Sequence, residues 1–402
     1  MFDLAVIGTG IMGAPTAWHA ARSGASVVAI GVPEPADITQ HHGLFGAWHD
    51  ASRLVWQRHA HPTDTEFTAR AIENIRTLEN EGADPILTEV GFLFAAAPGR
   101  DEGMLPPPED YPGITALGPG ELASQFEYLA FDEGVTGYTE DPPSGYMSPR
   151  DVVGAFLASA QTSGVEVVAD QVMSIDVRTD HVVLQTLAGR SFAARRAVLA
   201  TGAFSNTTEF LPRPLALRRK SETALMAELD LDRNPSLRHM PIFVYQLDHD
   251  LVADIYMVPP MVYPNGRTMM KFGANTHHDS YLDSASVEHW YRQGNSDAVI
   301  PDMRSAFRQL FPGVEVSEWH GVRCVITRTP HGRPYIDTLV DGRLYCAIGG
   351  NGHSAKWSGA IGELTATLAL TNEWRDTVIP REHHRAQYSD EPQTWTTRDL
   401  LG

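Results

Sequence analysis

A chain of 402 residues is too long for one simple core, so two interlocked or consecutive domains are expected. Apolar content of 43% and charged content of 20% are those of an ordinary globular protein, and the net charge of −19 argues against nucleic acid as the main partner. Two cysteines, Cys324 and Cys346, rule out a disulfide framework and point to a reducing compartment.

The chain begins by running straight into an apolar strand. It lacks the basic region, apolar core and cleavage site of a signal peptide. No apolar run reaches the roughly 20 residues that span a bilayer. The expectation is a cytoplasmic protein with no membrane partner.

Asp3–Ile7 reads as a strand, Ile11–Arg22 as a helix closed by Ser23 and Gly24, and Ala25–Ile30 as a second strand. With Gly8, Gly10 and Gly13 between the first two, this is a βαβ dinucleotide-binding unit. Gly8 permits the tight turn, Gly10 lets the backbone approach a pyrophosphate, and Gly13 lets helix and strand pack closely. Ile11 and Met12 open the helix, whose free amides and dipole favour phosphate. Such a unit usually ends its second strand on Asp or Glu, which holds a ribose hydroxyl. Here that end is Gly31. Glu34, three residues on, is the carboxylate expected to reach the ribose, with the Gly31 backbone supplying part of the contact. The Gly turn alone does not choose between NAD and FAD.

Residues 36–62 are rich in His, Gly and Trp without a period and read as an ordered loop. A helix follows near Asp64–Glu81, and Pro and Gly then crowd residues 98–119, an excursion out of the first domain. In Ser148–Gly164, Ser caps a helix, Pro149 opens it and Gly ends it. Short antiparallel strands follow, with Val172 near their start counted among the cofactor contacts. The buried strand Ala197–Ala200 then ends at Thr201 and Gly202. From Pro214 to Gly321 strands alternate with polar loops around one helix near Val287–Gln293. The run Arg218–Lys220 reads as a solvated strand end. The chain returns to a strand at Arg343–Gly350, then a Gly loop and a helix over Ala360–Leu370, which Ser358 is placed to cap. Three separated Gly-rich segments converging on one ligand suit FAD, which is long and extended. The pairs His59/His61, His277/His278 and His383/His384 lack cysteines or suitably spaced carboxylates, so they read as surface or loop histidines and no metal is expected.

With these motifs the chain resembles the flavin-dependent amine oxidases of the D-amino-acid oxidase superfamily. It looks most like the branch holding monomeric sarcosine oxidase and N-methyltryptophan oxidase. The likeness is specific at the N-terminal Gly turn, at His41-His42-Gly43, at Ala200-Thr201-Gly202, around Cys324 and over Gly350–Glu363, and loose between about residues 60 and 145. It implies an α/β fold: an FAD-binding Rossmann-type domain of the glutathione-reductase-like kind with a β-meander, plus an α+β substrate domain with a mixed or antiparallel sheet. The FAD domain would comprise residues 1–85, 146–213 and 322–390, the substrate domain 86–145 and 214–321, and residues 391–402 a tail.

The resemblance also implies roles for individual residues. Cys324 would carry the flavin through a thioether, whereas Cys346 stays a core residue. Lys271 would promote reaction with oxygen, an electrostatic role. Lys356 would hold the substrate carboxylate, with Tyr256 and Asn275 as further substrate contacts. Arg53 matches the first of two arginines near the ring, and Lys271, Lys356 and Arg53 form the expected catalytic set. His42, Gly43, Gly350, Asn351, Gly352 and His353 complete the expected cofactor contacts. Departures stand out in two places, around Arg53 and at Asn275. Extra residues, Leu44–Ala51, precede Arg53, and Trp56 falls where the second arginine would be. Asn275 stands where the family often has His. Both argue against sarcosine itself and for a different amine. The implied activity is an FAD-dependent oxidase of a secondary or tertiary amine, an N-methylated or cyclic amino acid, with oxygen as acceptor and hydrogen peroxide as product. The alternatives are a flavin dehydrogenase passing electrons to a quinone or carrier, a flavoprotein that binds without turnover, and a nicotinamide-dependent dehydrogenase. Oligomeric state stays open.

Overall fold

The computed structural model describes residues 1–100, 112–207, 209–250, 252–294 and 297–395. The expectations for residues 101–111 and for the tail beyond 395 lie outside the described residues. Phe2–Ile7 and Val27–Gly31 form adjacent parallel strands in the register Leu4↔Val27 to Ile7↔Ile30, joined by the helix Gly13–Arg22. Both faces of this pair are buried. Leu4 and Val6 point into a core under the helices, while Ala5 and Ile7 point into a core on the opposite face. That is why the strands read as unbroken apolar runs rather than as an alternation.

Eight strands make this first sheet. Ser191–Leu199 pairs parallel to Phe2–Ile7 and forks beyond it. Its first half pairs antiparallel with Val182–Thr186, the meander, and its last residues pair parallel with Leu344–Ile348. The fork explains how a C-terminal strand reaches the N-terminal unit. Four helices cover one face: Gly13–Arg22, Pro62–Asn80, Pro149–Thr162 and Ser354–Thr371. Ser148 caps the third as expected, its side chain accepting from the Asp151 amide at 3.2 Å. The first and last helices touch so closely that a Cβ on Gly362 would lie 2.6 Å from the Pro15 carbonyl carbon.

The second sheet has nine strands and is mixed. Arg218–Glu228, Thr268–Thr276, Val252–Val262 and Ile242–Gln246 run antiparallel to their neighbours, and Phe92–Ala96 joins Ile242–Gln246 in parallel. Glu318–Arg328 pairs along the whole of Arg218–Glu228, so Cys324 lies on this sheet, opposite Glu222. One face packs on the helix Ile300–Leu310 through Leu225, Met257, Phe272 and Phe307. Arg53–Val55, Gly145–Met147 and Leu87–Glu89 form a separate three-stranded sheet, whose Leu54 and Tyr146 pack on Phe92 and Val244 of the nine-stranded one. Among the described residues no helix is long and apolar enough to cross a membrane.

Several local expectations need correction. Arg219 and Lys220 are buried, not a solvated strand end. Lys220 Nζ lies 2.5 Å from Glu222 and 2.6 Å from Asp279. The last helix begins at Ser354, so Ser358 lies inside it, buried, and does not cap it. His59 and His384 are core residues rather than surface ones. The segment before Pro62 contains the short strand Arg53–Val55, and Ile300–Leu310 is a second helix after Ser286–Gln293.

Candidate active site

The free face of the nine-stranded sheet and the C-terminal edge of the eight-stranded sheet enclose one cavity of about 1170 Å³. Its floor is built from backbone. Gly8 has φ +102°, which favours Gly, and a Cβ there would meet the Ala200 carbonyl oxygen at 2.3 Å. The Gly turn and the Ala200–Gly202 segment are therefore in contact, and both line the cavity. Gly349–Gly352 forms the third wall. Asn351 fixes it, accepting from the Thr329 amide at 2.9 Å and donating to the Gly349 carbonyl at 2.6 Å. Ile11, Met12 and Val172 also face the cavity. Gly13 does not line it but packs the turn: a Cβ there would sit 1.7 Å from the Gly8 carbonyl oxygen.

Gly31 has a steric reason. A Cβ on it would lie 2.4 Å from Thr9 Oγ1 and 2.6 Å from Thr9 N, so Thr9 closes the place a strand-end carboxylate would occupy. Glu34 does line the cavity, and it is held in a two-pronged ion pair by Arg150, with contacts of 2.6–2.9 Å. The bond from Arg150 holds the Glu34 carboxyl below its ordinary value. His42 and Gly43 do not line the cavity. His42 is exposed and contacts Arg292 and Glu288, and the wall there is made instead by Leu44–Asp50. The Trp48 ring occupies the space beside Gly10, 2.9 Å from where a Cβ would stand.

The charged groups gather at the other end. Arg53 donates from Nη2 toward Cys324 Sγ at 3.7 Å and from Nη1 to the Ser52 carbonyl at 3.0 Å. Lys271 is 4% exposed and donates to Asp50 Oδ2 at 2.5 Å and to the Ser52 carbonyl at 3.1 Å. Asp50 also pairs with Arg53. Burial and, after it, the Arg53 guanidinium drive the Lys271 ammonium well below its ordinary value. The Asp50 carboxylate works against both.

Lys356 is 2% exposed, and its Nζ has no hydrogen-bond partner although it faces the cavity. Nζ stands 2.8 Å from the centre of the Trp56 ring, a cation–π contact. Burial drives Lys356 well below the ordinary lysine value, with Asp64 and Glu140 opposing. Tyr256 donates to Glu222 Oε1 at 2.8 Å, and Asn275 donates to Asp254 Oδ1 at 2.6 Å, leaving Asn275 Oδ1 without a partner. Burial raises the Asp254 carboxyl. Cys346 is fully buried inside its strand, and burial pushes its thiol up, so it keeps the core role expected of it.

The structure thus brings together all three residues of the expected catalytic set with Cys324, Tyr256, Asn275 and most of the expected cofactor contacts. Sequence reasoning missed Asp50, Trp48, Arg150, Glu222 and Asp254. The extra segment Leu44–Ala51 was the one signal for the first two, because an insertion beside the ring-end residues has to face something. The only metal-like group among the described residues, Glu228, Glu318 and His320, is already filled by the Arg267 guanidinium, at 2.7 Å from each carboxylate.

FAD fits this arrangement. Three Gly-lined backbone turns, two of them with no room for a Cβ, provide a floor for an extended dinucleotide. Lys356 Nζ, buried and without a hydrogen-bond partner among the described residues, can take up a ligand acceptor in the same cavity.

Comparison with known proteins agrees. The family model for FAD dependent oxidoreductases, DAO, matches residues 3–368. Monomeric sarcosine oxidase from Bacillus sp. (strain B-0618) is 23% identical over 390 residues, 92% of this chain and 93% of that protein. N-methyl-L-tryptophan oxidase from Yersinia pestis (strain Pestoides F) is 22% identical over 386 residues, 92% and 95% of the two chains. Among solved structures, NikD, an amino acid oxidase essential for nikkomycin biosynthesis, superposes in its open form with a TM-score of 0.77 at 18% identity, covering 96% and 98% of the two chains. L-Proline dehydrogenase from P. horikoshii gives 0.70 at 16%, covering 95% and 96%. With the family model spanning nearly the whole chain, this protein belongs to the DAO family of FAD-dependent oxidoreductases.

Proposed function

We propose that the protein is an oxidase of secondary or tertiary amines, N-methylated or cyclic amino acids, with oxygen as acceptor. FAD, when bound, would supply a two-electron acceptor for the hydride on the carbon beside nitrogen, leaving an imine (an iminium from a tertiary amine) that water would hydrolyse, with oxygen taking the electrons as hydrogen peroxide. The observation that carries this reading is Lys356, a buried amine without a hydrogen-bond partner among the described residues, in the same cavity as Lys271 and Cys324. Its field would hold the substrate carboxylate, while Trp56 gives that end an apolar wall in place of a second arginine. Tyr256 and the Asn275 Oδ1 acceptor would orient the amine. Lys271 would stabilise negative charge on oxygen as it is reduced, and Glu34 with Arg150 would face the adenosine end. Cys324 would carry the flavin covalently, with Arg53 Nη2 3.7 Å from its sulfur. In this reading the eight-stranded sheet and its helices form the FAD unit and the nine-stranded sheet the substrate unit.

The test is a visible spectrum before and after acid precipitation, followed by a panel of N-methyl and cyclic amino acids. Expected are flavin bands that stay with the polypeptide, bleaching by a substrate without air, and peroxide when air returns. Flavin released by acid removes the covalent bond alone, and a panel that never bleaches the flavin overturns the activity. One observation favours a second reading, a dehydrogenase that passes electrons to a carrier. Asp50 pairs with the Lys271 ammonium, so the net field that the pair turns toward oxygen is smaller than that of a free ammonium. Fast anaerobic reduction with slow recovery in air selects that reading.

A further inference from the structure

The segment that this chain carries in excess, Leu44–Ala51, ends in a carboxylate that reaches the two cations of the ring-end wall. Asp50 is nearly buried, with a side-chain exposure of 12%. Its Oδ1 accepts from the Ala51 amide at 2.7 Å, which fixes the rotation of the carboxylate. Its Oδ2 takes Lys271 Nζ at 2.5 Å and the Arg53 guanidinium. An ammonium has three hydrogens. Lys271 spends one on Asp50 and one on the Ser52 carbonyl, which leaves one for the cavity that it lines. Ser52 is itself held, its hydroxyl 2.6 Å from the Tyr263 hydroxyl.

We propose that Asp50 is a positioning residue for reoxidation: its carboxylate holds Lys271 charged and aimed into the cavity, and ties it to Arg53. The inference rests on the oxidase reading of Lys271. The charged groups that face Lys271 are Asp50 from the inserted segment, Arg53 on its short strand, Glu222 on Arg218–Glu228, and Cys324 on Glu318–Arg328. Of the two carboxylates, Glu222 is already engaged by Lys220 and Tyr256. Asp50 is therefore the counter-ion that decides whether a desolvated ammonium survives at this position. With Asp50 present, the ion pair opposes the burial and the Arg53 repulsion that lower the Lys271 ammonium, so its charge persists to higher pH than it would alone. Without it, burial and Arg53 are opposed only by more distant groups, and the ammonium is lost as pH rises.

The experiment uses the FAD-loaded protein. Wild type, Asp50→Asn, Asp50→Glu, Lys271→Met and the Asp50→Asn/Lys271→Met double variant are reduced without air and mixed with oxygen, from about pH 6 to about pH 9. The reduction potential of the bound flavin is measured over the same range. Wild-type reoxidation is expected to hold to a higher pH than that of Asp50→Asn. Asp50→Asn is expected to lose rate at a lower pH, about tenfold per pH unit once the loss begins, with a flavin potential that falls along with it. Asp50→Glu restores the wild-type profile. The double variant matches Lys271→Met, because Asp50 acts through the lysine. An Asp50→Asn profile that matches wild type beside a slow Lys271→Met overturns the assignment of Asp50 alone. An Asp50→Asn effect that persists in the Lys271→Met background also overturns it. If Lys271→Met itself reoxidises like wild type, the oxidase reading of Lys271 fails and takes this inference with it. Flavin content and the oxidised spectrum of each variant separate these outcomes from misfolding.

Discussion

Two lysines in one cavity have opposite electrostatic situations. Lys271 sits against a carboxylate, whereas Lys356 sits against an indole face with its Nζ unpartnered. Burial holds the free Lys356 well below its ordinary value, which favours the neutral form in the empty site. A substrate carboxylate docked on it raises that value, so binding takes up a proton. The sign follows: affinity is full below the free-state value and declines as pH rises from there toward the bound-state value. Calorimetry of a non-reacting carboxylate analogue, in two buffers of different ionisation heat, should show proton uptake at neutral pH. Equal heats in the two buffers would mean that Lys356 is already charged when the ligand arrives. Lys356→Met removes a charge-assisted contact worth about 1.5–3 kcal/mol, so KM for a carboxylate substrate should rise about 10- to 100-fold. An amine without a carboxylate should be far less affected, which the ratio of the two KM changes reads directly.

At the scale of elements, the Gly31 strand end is the sharpest case. Restoring the usual carboxylate there looks like an improvement from the sequence. The structure predicts the reverse, because any Cβ meets Thr9 Oγ1 and, at 2.6 Å, the Thr9 backbone amide. Gly31→Asp should cost about 1–3 kcal/mol by overpacking and distort the Gly turn, so thermal unfolding shifts down and flavin content drops. A variant of unchanged melting temperature and full flavin content would show that the turn can yield. The same contrast marks what was legible. The βαβ unit, the Ser148-capped helix and the Ala200–Gly202 turn were readable because each is specified by neighbours within a few residues. The last helix was read late because it starts at Ser354 with His353 at its N-cap and no side-chain bond there, so the usual start signal is missing. Lys220 was misread because one of its partners, Asp279, is 59 residues away along the chain. Asp50 and Lys271 are separated by 221 residues, and no local pattern announces their contact. The helix Ile300–Leu310, by contrast, was available: Met303, Phe307 and Leu310 recur at helical spacing after a Pro in the first turn.

At the scale of the molecule, the cavity lies between two sheets that have largely separate cores. Residues lining it come from both, with Gly8, Thr201 and Gly350 on one side and Cys324, Lys271 and Tyr256 on the other. A ligand that fills about 1170 Å³ there joins the two sheets, and its binding energy adds to the folding energy of both. Loss of flavin should therefore lower the melting temperature of the whole chain rather than loosen one layer. The covalent bond proposed at Cys324 would hide this dependence, because the ligand could not leave. Cys324→Ala makes it visible: flavin becomes releasable by acid, and the melting temperature should climb with added FAD. Raising free FAD to about 100 times its Kd adds about 2.7 kcal/mol, a shift of several degrees for a chain of this size. A Cys324→Ala protein whose melting temperature ignores added FAD would mean that the two sheets hold together without the ligand. One that needs no acid to lose its flavin, yet melts in a single transition dependent on FAD concentration, fits a cofactor that is part of the core joining them.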